Sequence, residues 1–181
     1  VNTTVFLVRH AESEQNVATR RLAKGDLSAL ARLIYLGRDA PLSVDGIQQL
    51  ETARRKLDEE NFLATHGVQL VAHSPLMRAR ITATTLFGGT AVPLVELPYM
   101  HERNVIEYGL PHLMDRRINM ILRWLASRSE SVLILVGHGQ LFMRLTKRQI
   151  ELHNVEIQRC SFDGQRVMVV ADETSKCLSK E

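Results

Sequence analysis

Cysteine is scarce in this chain: of 181 residues only Cys160 and Cys177 carry a thiol. Two thiols make no disulfide framework, and neither has the spacing of a metal-ligating cluster, so a cross-linked secreted scaffold is excluded and a reducing, cytoplasmic setting is expected. Long apolar runs are also missing. None approaches the ~18 residues that cross a bilayer, so no membrane partner is expected. The N-terminus carries no signal-peptide pattern, although the chain opens on Val1 rather than Met and a targeting segment upstream stays open. Aromatic residues amount to only 5% and there is no dense run of cations, which is a poor footprint for a nucleic-acid partner. Internal repeats, low-complexity tracts and linkers are absent, so residues 1–181 read as a single domain. Nothing in the pattern specifies an oligomeric state.

What is present is the composition of an ordinary globular protein, 45% hydrophobic and 24% charged. That length can bury a substantial core without staples. The net charge is +3, and the basic residues are mostly arginine, whose planar fork suits phosphate or carboxylate. Small anionic substrates fit this charge better than a polymer does.

Apolar, β-branched runs at Val5–Val8, Val68–Ala72 and Val132–Val136 read as buried strands, and Ala91–Val95 as a further one, placed at an edge by Pro93. Helical patterns alternate with them. Glu12 and Ser13 open a helical stretch running through Asn16, and Leu27, Leu30, Ala31 and Ile34 recur at helical spacing before Gly37. Core packing is the default expectation for that second helix; a partial lid or a partner surface is the alternative. Ser43 caps the next helix, which carries Val44, Ile47, Leu50 and Leu57 on one side. Pro75 suits the first turn of a helix through Arg78 and Leu86 that Gly88-Gly89 ends. Leu97–Pro111 reads as irregular, Ile118–Leu125 as helix, and a helix from Gln140 to about Thr146 follows the most apolar strand. Val155–Phe162 and Arg166–Ala171 alternate around Asp163-Gly164, a hairpin signal. The sum is an α/β fold, a three-layer α/β/α sandwich with a mostly parallel central sheet and a C-terminal hairpin.

Three of the strands end on chemistry: at Arg9-His10, at His73-Ser74 leading to Arg78, and at His138. Laid parallel, they bring these residues to one sheet edge, where open α/β sheets collect ligands. With those residues in view, Val8-Arg9-His10-Ala11-Glu12-Ser13-Glu14-Gln15-Asn16 resembles the signature of the histidine phosphatase superfamily, also called phosphoglycerate mutase-like, with Ala11 where most members have glycine. Four further stretches match in order: Asp39-Ala40-Pro41-Leu42-Ser43 with Gly46 and Gln49, Ser74–Ala79 with Thr82-Ala83, Val136–Gly139 with Arg144-Leu145, and Asn154–Ile157 before the hairpin. Five motifs in order over nearly the whole chain are specific where one would not be.

The resemblance implies that His10 is the nucleophile, forming a phosphohistidine, and that Arg9 and Arg78 clamp the phosphoryl oxygens, with Asn16 as an extra donor. It implies that His138 stabilises the transition state and that Glu102 protonates the leaving group. The glycine and acidic-glycine pair that usually follow the acid are missing, and Glu107 is a rival for that role. Two arginines and two histidines supply the positive charge, so no metal or cofactor is required. His73 borders the presumed site, where a packing role is equally open. His66, His101, His112 and His153 read as exposed loop residues, and Cys160 as a strand residue.

Between Glu102 and the His138 strand the pattern offers one helix and little else, whereas mutases and sugar-phosphate phosphatases of the family carry a longer covering insertion. A mutase must keep water from its phosphoenzyme. The expectation is therefore a phosphatase with an open site, acting on a phosphorylated small molecule or a phosphoprotein. The alternatives are a phosphoglycerate mutase-type transferase and a non-catalytic phosphopeptide-binding module.

Overall fold

The computed structural model describes residues 2–37, 39–149, 151–170 and 176–179. Its frame is one sheet of β1 (Thr3–Arg9), β2 (Leu70–His73), β3 (Leu94–Glu96), β4 (Val132–Gly137), β5 (Glu156–Phe162), β6 (Val167–Val169) and β7 (Lys176–Cys177). Spatial order is β3-β2-β4-β1-β5-β6, with β7 also paired to β5. The first four strands run parallel, and β5 turns antiparallel to β1, β6 and β7. The edge position of β3 agrees with Pro93 just before it. The Asp163-Gly164 turn joins β5 to β6 as expected; Ala171, the far end of the anticipated hairpin, lies outside the described residues.

Strand periodicity divides the core. On β1, Val5 and Leu7 face one side with Leu133 and Leu135 of β4, while Phe6 and Val8 face the other with Ile134 and Val136. Against the first face pack α7 (Pro111–Ala126) and α8 (Gly139–Thr146), through Ile118, Ile121, Leu125 and Leu141. Against the second pack α3 (Val44–Glu59) and α5 (Met77–Phe87), through Leu50, Ala53, Leu57, Ala83 and Phe87. This is the three-layer arrangement, and burial on both faces explains why β1 and β4 are continuous apolar runs rather than alternating ones.

Several local expectations need correction. The first helix, α1 (Glu14–Ala23), starts at a Ser13 cap but continues seven residues past Asn16. Helix α2 (Ser28–Leu36) is not a core helix. Only Ala29 is buried, while Leu27, Ile34 and Tyr35 are 77%, 75% and 89% exposed. It rests on α1, tied by Arg32 to Glu14 at 2.5 Å. On α3 the buried stripe is Gly46, Leu50, Ala53 and Leu57, whereas Val44 and Ile47 are exposed. Gly46 turns the helix this way: a Cβ there would lie 2.0 Å from the Glu12 carbonyl oxygen, so only glycine lets α3 approach the chain that follows His10. Pro75 precedes α5 in a bend instead of sitting in its first turn. The stretch after Glu102 holds two helices, because Asn104 and Glu107 form a capping box that starts the short α6 (Val105–Gly109) ahead of α7. The single turn α4 (Phe62–Thr65) and strand β7 had no legible pattern.

Candidate active site

The parallel strands deliver their C-terminal ends side by side. The His10 N–H donates to the Gly137 carbonyl (2.9 Å) and the Ser74 N–H to that of Val136 (3.0 Å), which fixes the three chain exits relative to one another. Arg9, His10, Asn16, Arg78 and Glu102 line a single cavity of about 830 Å3. His138 is fully buried beside His10, their rings edge-on at 5.0 Å. All six sequence-predicted site residues are therefore brought together.

The loop after His10 is held by the elements that the Asp39–Gln49 and Arg78–Thr82 motifs supply. Gln49 Oε1 accepts from the Glu12 N–H (3.0 Å), and Thr82 Oγ1 accepts from the Ala11 N–H (3.0 Å). The buried Glu12 carboxylate accepts from Ser43 Oγ (2.8 Å) and pairs with Arg20 (2.5 Å). Asn154 Nδ2 donates to the His10 carbonyl at 2.8 Å. These bonds lock the backbone around one imidazole.

That imidazole has a defined tautomer. Its Nδ1 lies 2.7 Å from the Ala11 carbonyl, which can only accept, so Nδ1 carries the proton. Nε2 is then the lone-pair nitrogen, and it accepts from Arg78 Nε at 3.2 Å. Burial holds the His10 pKa well below the usual imidazole range, helped by the Arg78 charge, opposed by the Ala11 carbonyl, and helped less by Arg9. The ring is neutral near neutral pH. His138 is also held well below the usual range, first by burial and then by His10 and the arginines. Its Nε2 sits 2.8 Å from Ser74 Oγ, which itself accepts from the Leu76 N–H. The hydroxyl can donate to Nε2 while it accepts from Leu76, an arrangement that leaves the ring N–H on Nδ1. Among the described residues no hydrogen-bond partner meets that Nδ1; Glu102 Oε2 lies 4.0 Å from it.

Glu102 has its Oε1 fixed by the Arg103 N–H (2.9 Å). Burial pushes its pKa up, against the pull of that N–H and of Arg78, and the Glu151 charge adds to the rise. The Arg103 side chain adds nothing to that opposition, because its guanidinium turns away onto the Tyr108 ring, 4.0 Å from the centroid. Glu107 is in another position altogether. Arg117 grips both its oxygens at 2.6 Å beneath α6, and its pKa is lowered even against burial. Its carboxylate is occupied in holding α6 to α7.

Asn16 lines the cavity, but its Oδ1 accepts from the Ser13 N–H and hydroxyl in the cap of α1, so the amide N–H2 is the group left for a ligand. Arg9 donates through Nη1 to the Leu152 carbonyl and pairs through Nη2 with Glu151 at 2.9 Å. Glu151 was not legible as a site residue, since it belongs to no motif and meets Arg9 only through the fold. Gly139 marks its place: a Cβ there would lie 2.0 Å from Glu151 Oε1. Ser74 was the other unassigned contributor, although its place directly after a strand end was the signal.

Of the other histidines, His73 is buried with Nδ1 on the Ser74 carbonyl (2.9 Å) and does not line the cavity. His101 is half-buried rather than exposed, its Nδ1 beside the Glu102 carbonyl (3.1 Å), because Leu97 and Met100 anchor its chain in the core. His66 and His153 are exposed outside the helices as expected, whereas His112, also exposed, lies in the first turn of α7 and not in a loop. Cys160 is a buried strand residue whose thiol pKa burial pushes up to about 12.

Residues 5–112 match the model of the histidine phosphatase superfamily (branch 1). No curated protein matches the sequence. Among solved structures, the fold is similar to Bacillus stearothermophilus YhfR, with a TM-score of 0.67 at 17% identity over 97% of this chain and 99% of the other. It is also similar to the alpha-ribazole phosphatase from Shigella flexneri, with a TM-score of 0.66 at 16% identity over 93% and 95%. A third is the phosphoserine phosphatase from Entamoeba histolytica, solved in complex with 3-phosphoglyceric acid, with a TM-score of 0.60 at 15% identity over 97% and 99%. At these identities the likeness is one of fold.

Proposed function

The chain belongs to the histidine phosphatase superfamily (branch 1), and from that premise we propose that it is a metal-independent phosphomonoester hydrolase working through a phosphohistidine on His10. The observation that carries the reading is the state of His10. It is a buried neutral imidazole with its proton parked on the Ala11 carbonyl and its lone pair turned to Arg78. A bound phosphoryl group takes over the Arg78 N–H, which frees Nε2 to attack.

In the first step the Nε2 lone pair forms the N–P bond as the bond from phosphorus to the ester oxygen breaks, and Glu102 passes its proton to the departing alkoxide. Arg9, Arg78, the Nδ1–H of His138 and the amide of Asn16 hold the charge spread over the equatorial oxygens. In the second step water attacks phosphorus, the Glu102 carboxylate takes its proton, and the N–P bond breaks to restore His10 and release phosphate.

Exposure of Ile106 and Tyr108, which line the cavity, favours hydrolysis over a mutase-type transfer, because an uncovered site lets water reach the phosphoenzyme. The intact set of two arginines, two histidines and an acid favours catalysis over a passive phosphopeptide-binding module. The deciding experiment uses p-nitrophenyl phosphate in the presence of a chelator. Turnover is expected, with an acid-labile phosphoenzyme trapped on rapid quenching and both lost in His10→Ala. Undiminished turnover in that variant removes His10 from the mechanism. Primer-dependent exchange between phosphoglycerates in place of hydrolysis selects the mutase.

A further inference from the structure

A second cavity, of about 960 Å3, lies between α7, α8 and β6, and it adjoins the first, with Arg103 and Gln140 lining both. Its charge is one-sided. Arg103, Arg144, Lys147, Arg148 and Arg166 line it against a single carboxylate, Asp115. That excess exceeds the net +3 of the whole chain, so the rest of the chain carries no net positive charge. Asp115 is engaged by Arg144 in a bidentate pair (2.7 and 2.8 Å), and Arg148 donates to Gln158 at 2.8 Å. Lys147 and Arg166 are exposed at the groove's outer side. The Asp163 carboxylate, in the same turn as Arg166, accepts from the backbone N–H groups of Gln165 and Arg166.

We propose that this groove seats the acidic flank of a phosphopeptide whose phosphorylated residue lies in the His10 pocket; the substrate class this assigns, an acidic phosphoprotein segment, rests on the hydrolase reading above. Electrostatic complementarity steers such a segment into a cationic channel and fixes its register there. The groove lining also includes Leu122, Met143 and Met168, and flexible methionines suit the varied side chains of a peptide. A nucleic-acid strand fits less well, because among the described residues no aromatic side chain lines the groove for base stacking.

The test compares two phosphoserine peptides, one flanked on both sides by Asp and Glu, the other by Asn and Gln, with p-nitrophenyl phosphate as the small ester. Each is measured with the unaltered protein and with the double variant Lys147→Asn/Arg166→Gln. Asparagine is chosen because Lys147 has φ 56°, a left-handed conformation that asparagine tolerates. The acidic peptide is expected to have a KM roughly 3- to 10-fold below that of its neutral counterpart, an advantage that the double variant and added salt both erase. Turnover of the small ester stays unchanged. Equal KM values for the two peptides, or a preference that survives in the double variant, overturns the groove. So does tighter binding of a labelled oligothymidylate than of the labelled acidic peptide, read by fluorescence anisotropy. Failure to hydrolyse even p-nitrophenyl phosphate counts against the hydrolase reading alone, since anisotropy of the acidic peptide with and without the double variant still decides the groove.

Discussion

Glu102→Gln separates proton transfer from everything else the site does. Glutamine keeps an oxygen for the Arg103 N–H that now holds Oε1 at 2.9 Å, so the side chain stays where it is and only the proton is lost. A positioned general acid contributes about 10²- to 10⁴-fold, or about 3 to 5.5 kcal/mol of barrier. The full loss is expected only when the departing oxygen needs that proton, as in an alkyl phosphate. With p-nitrophenyl phosphate, whose phenolate leaves unaided, the variant should retain turnover within about threefold. Steady-state kcat/KM for the two esters, measured side by side, gives the answer as a ratio that does not depend on the fraction of folded enzyme. The alkaline limb of the alkyl ester's profile should disappear as well, because it reports Glu102 losing the proton that burial helps it keep. Glu107→Gln is the control. It weakens a buried ion pair with Arg117 and is expected to cost about 3–5 kcal/mol of stability, read in urea, with no leaving-group dependence. An equal loss on both esters in Glu102→Gln, or a leaving-group dependence appearing in Glu107→Gln instead, would refute the assignment.

Glu151→Gln releases Arg9 from its 2.9 Å partner, so KM for a small phosphate ester should fall roughly two- to fivefold. Because the Glu151 charge raises the Glu102 pKa, the alkaline limb should also move to lower pH; an unmoved limb and KM would remove Glu151 from the site. Gly46→Ala should destabilise the protein by about 1–3 kcal/mol through overpacking against the Glu12 carbonyl, visible as a lower urea midpoint. Acid should destabilise it too. The folded pKa values of His10 and His138 are depressed, so below the unfolded value of about 6.5 the unfolded chain binds more protons. Their contribution is complete above that value and is lost as pH falls toward the folded values. Glu102, raised by burial, contributes with the opposite sign, losing its share as pH rises. Urea midpoints measured from neutral to mildly acidic pH should fall, and fall less steeply in His138→Asn; identical slopes would contradict the buried neutral state.

The strand ends were legible because two local patterns coincide there, an apolar run and the abrupt arrival of Arg9-His10, His73-Ser74 and Gly137-His138. Periodicity sets the sheet, and parallel order follows from the intervening helices, so convergence of these residues needs no knowledge of loops. What stayed hidden depends on contacts without a local pattern. Glu151 and Arg9 are 142 positions apart, and no spacing rule joins them. Glu102 and Glu107 look alike in sequence; what separates them is Arg117, in the second turn of α7, which engages Glu107 and leaves Glu102 at the cavity. Helix α2 misleads for a related reason. Its apolar spacing is genuine, but the helix is held on the outside of α1 by a surface ion pair, so amphipathic pattern and burial part company.

One physical cause prepares both proton-handling groups. Burial is the largest influence on His10, where it favours the unprotonated ring, and on Glu102, where it favours the protonated acid. A nucleophile without its proton and an acid with its proton are the pair that the proposed first step requires. Arg78 acts differently on the two. It assists His10 by disfavouring imidazolium, yet it pulls Glu102 toward ionisation, as Arg9 does more weakly. A cage built only of cations would thus improve the nucleophile while spoiling the acid. Glu151 works against that outcome from a place where it neutralises part of Arg9 and raises Glu102. In the proposed mechanism the carboxylate beside Arg9 would then serve the chemistry even though it opposes phosphate binding: it raises the Glu102 pKa in a pocket whose other charges suit phosphate.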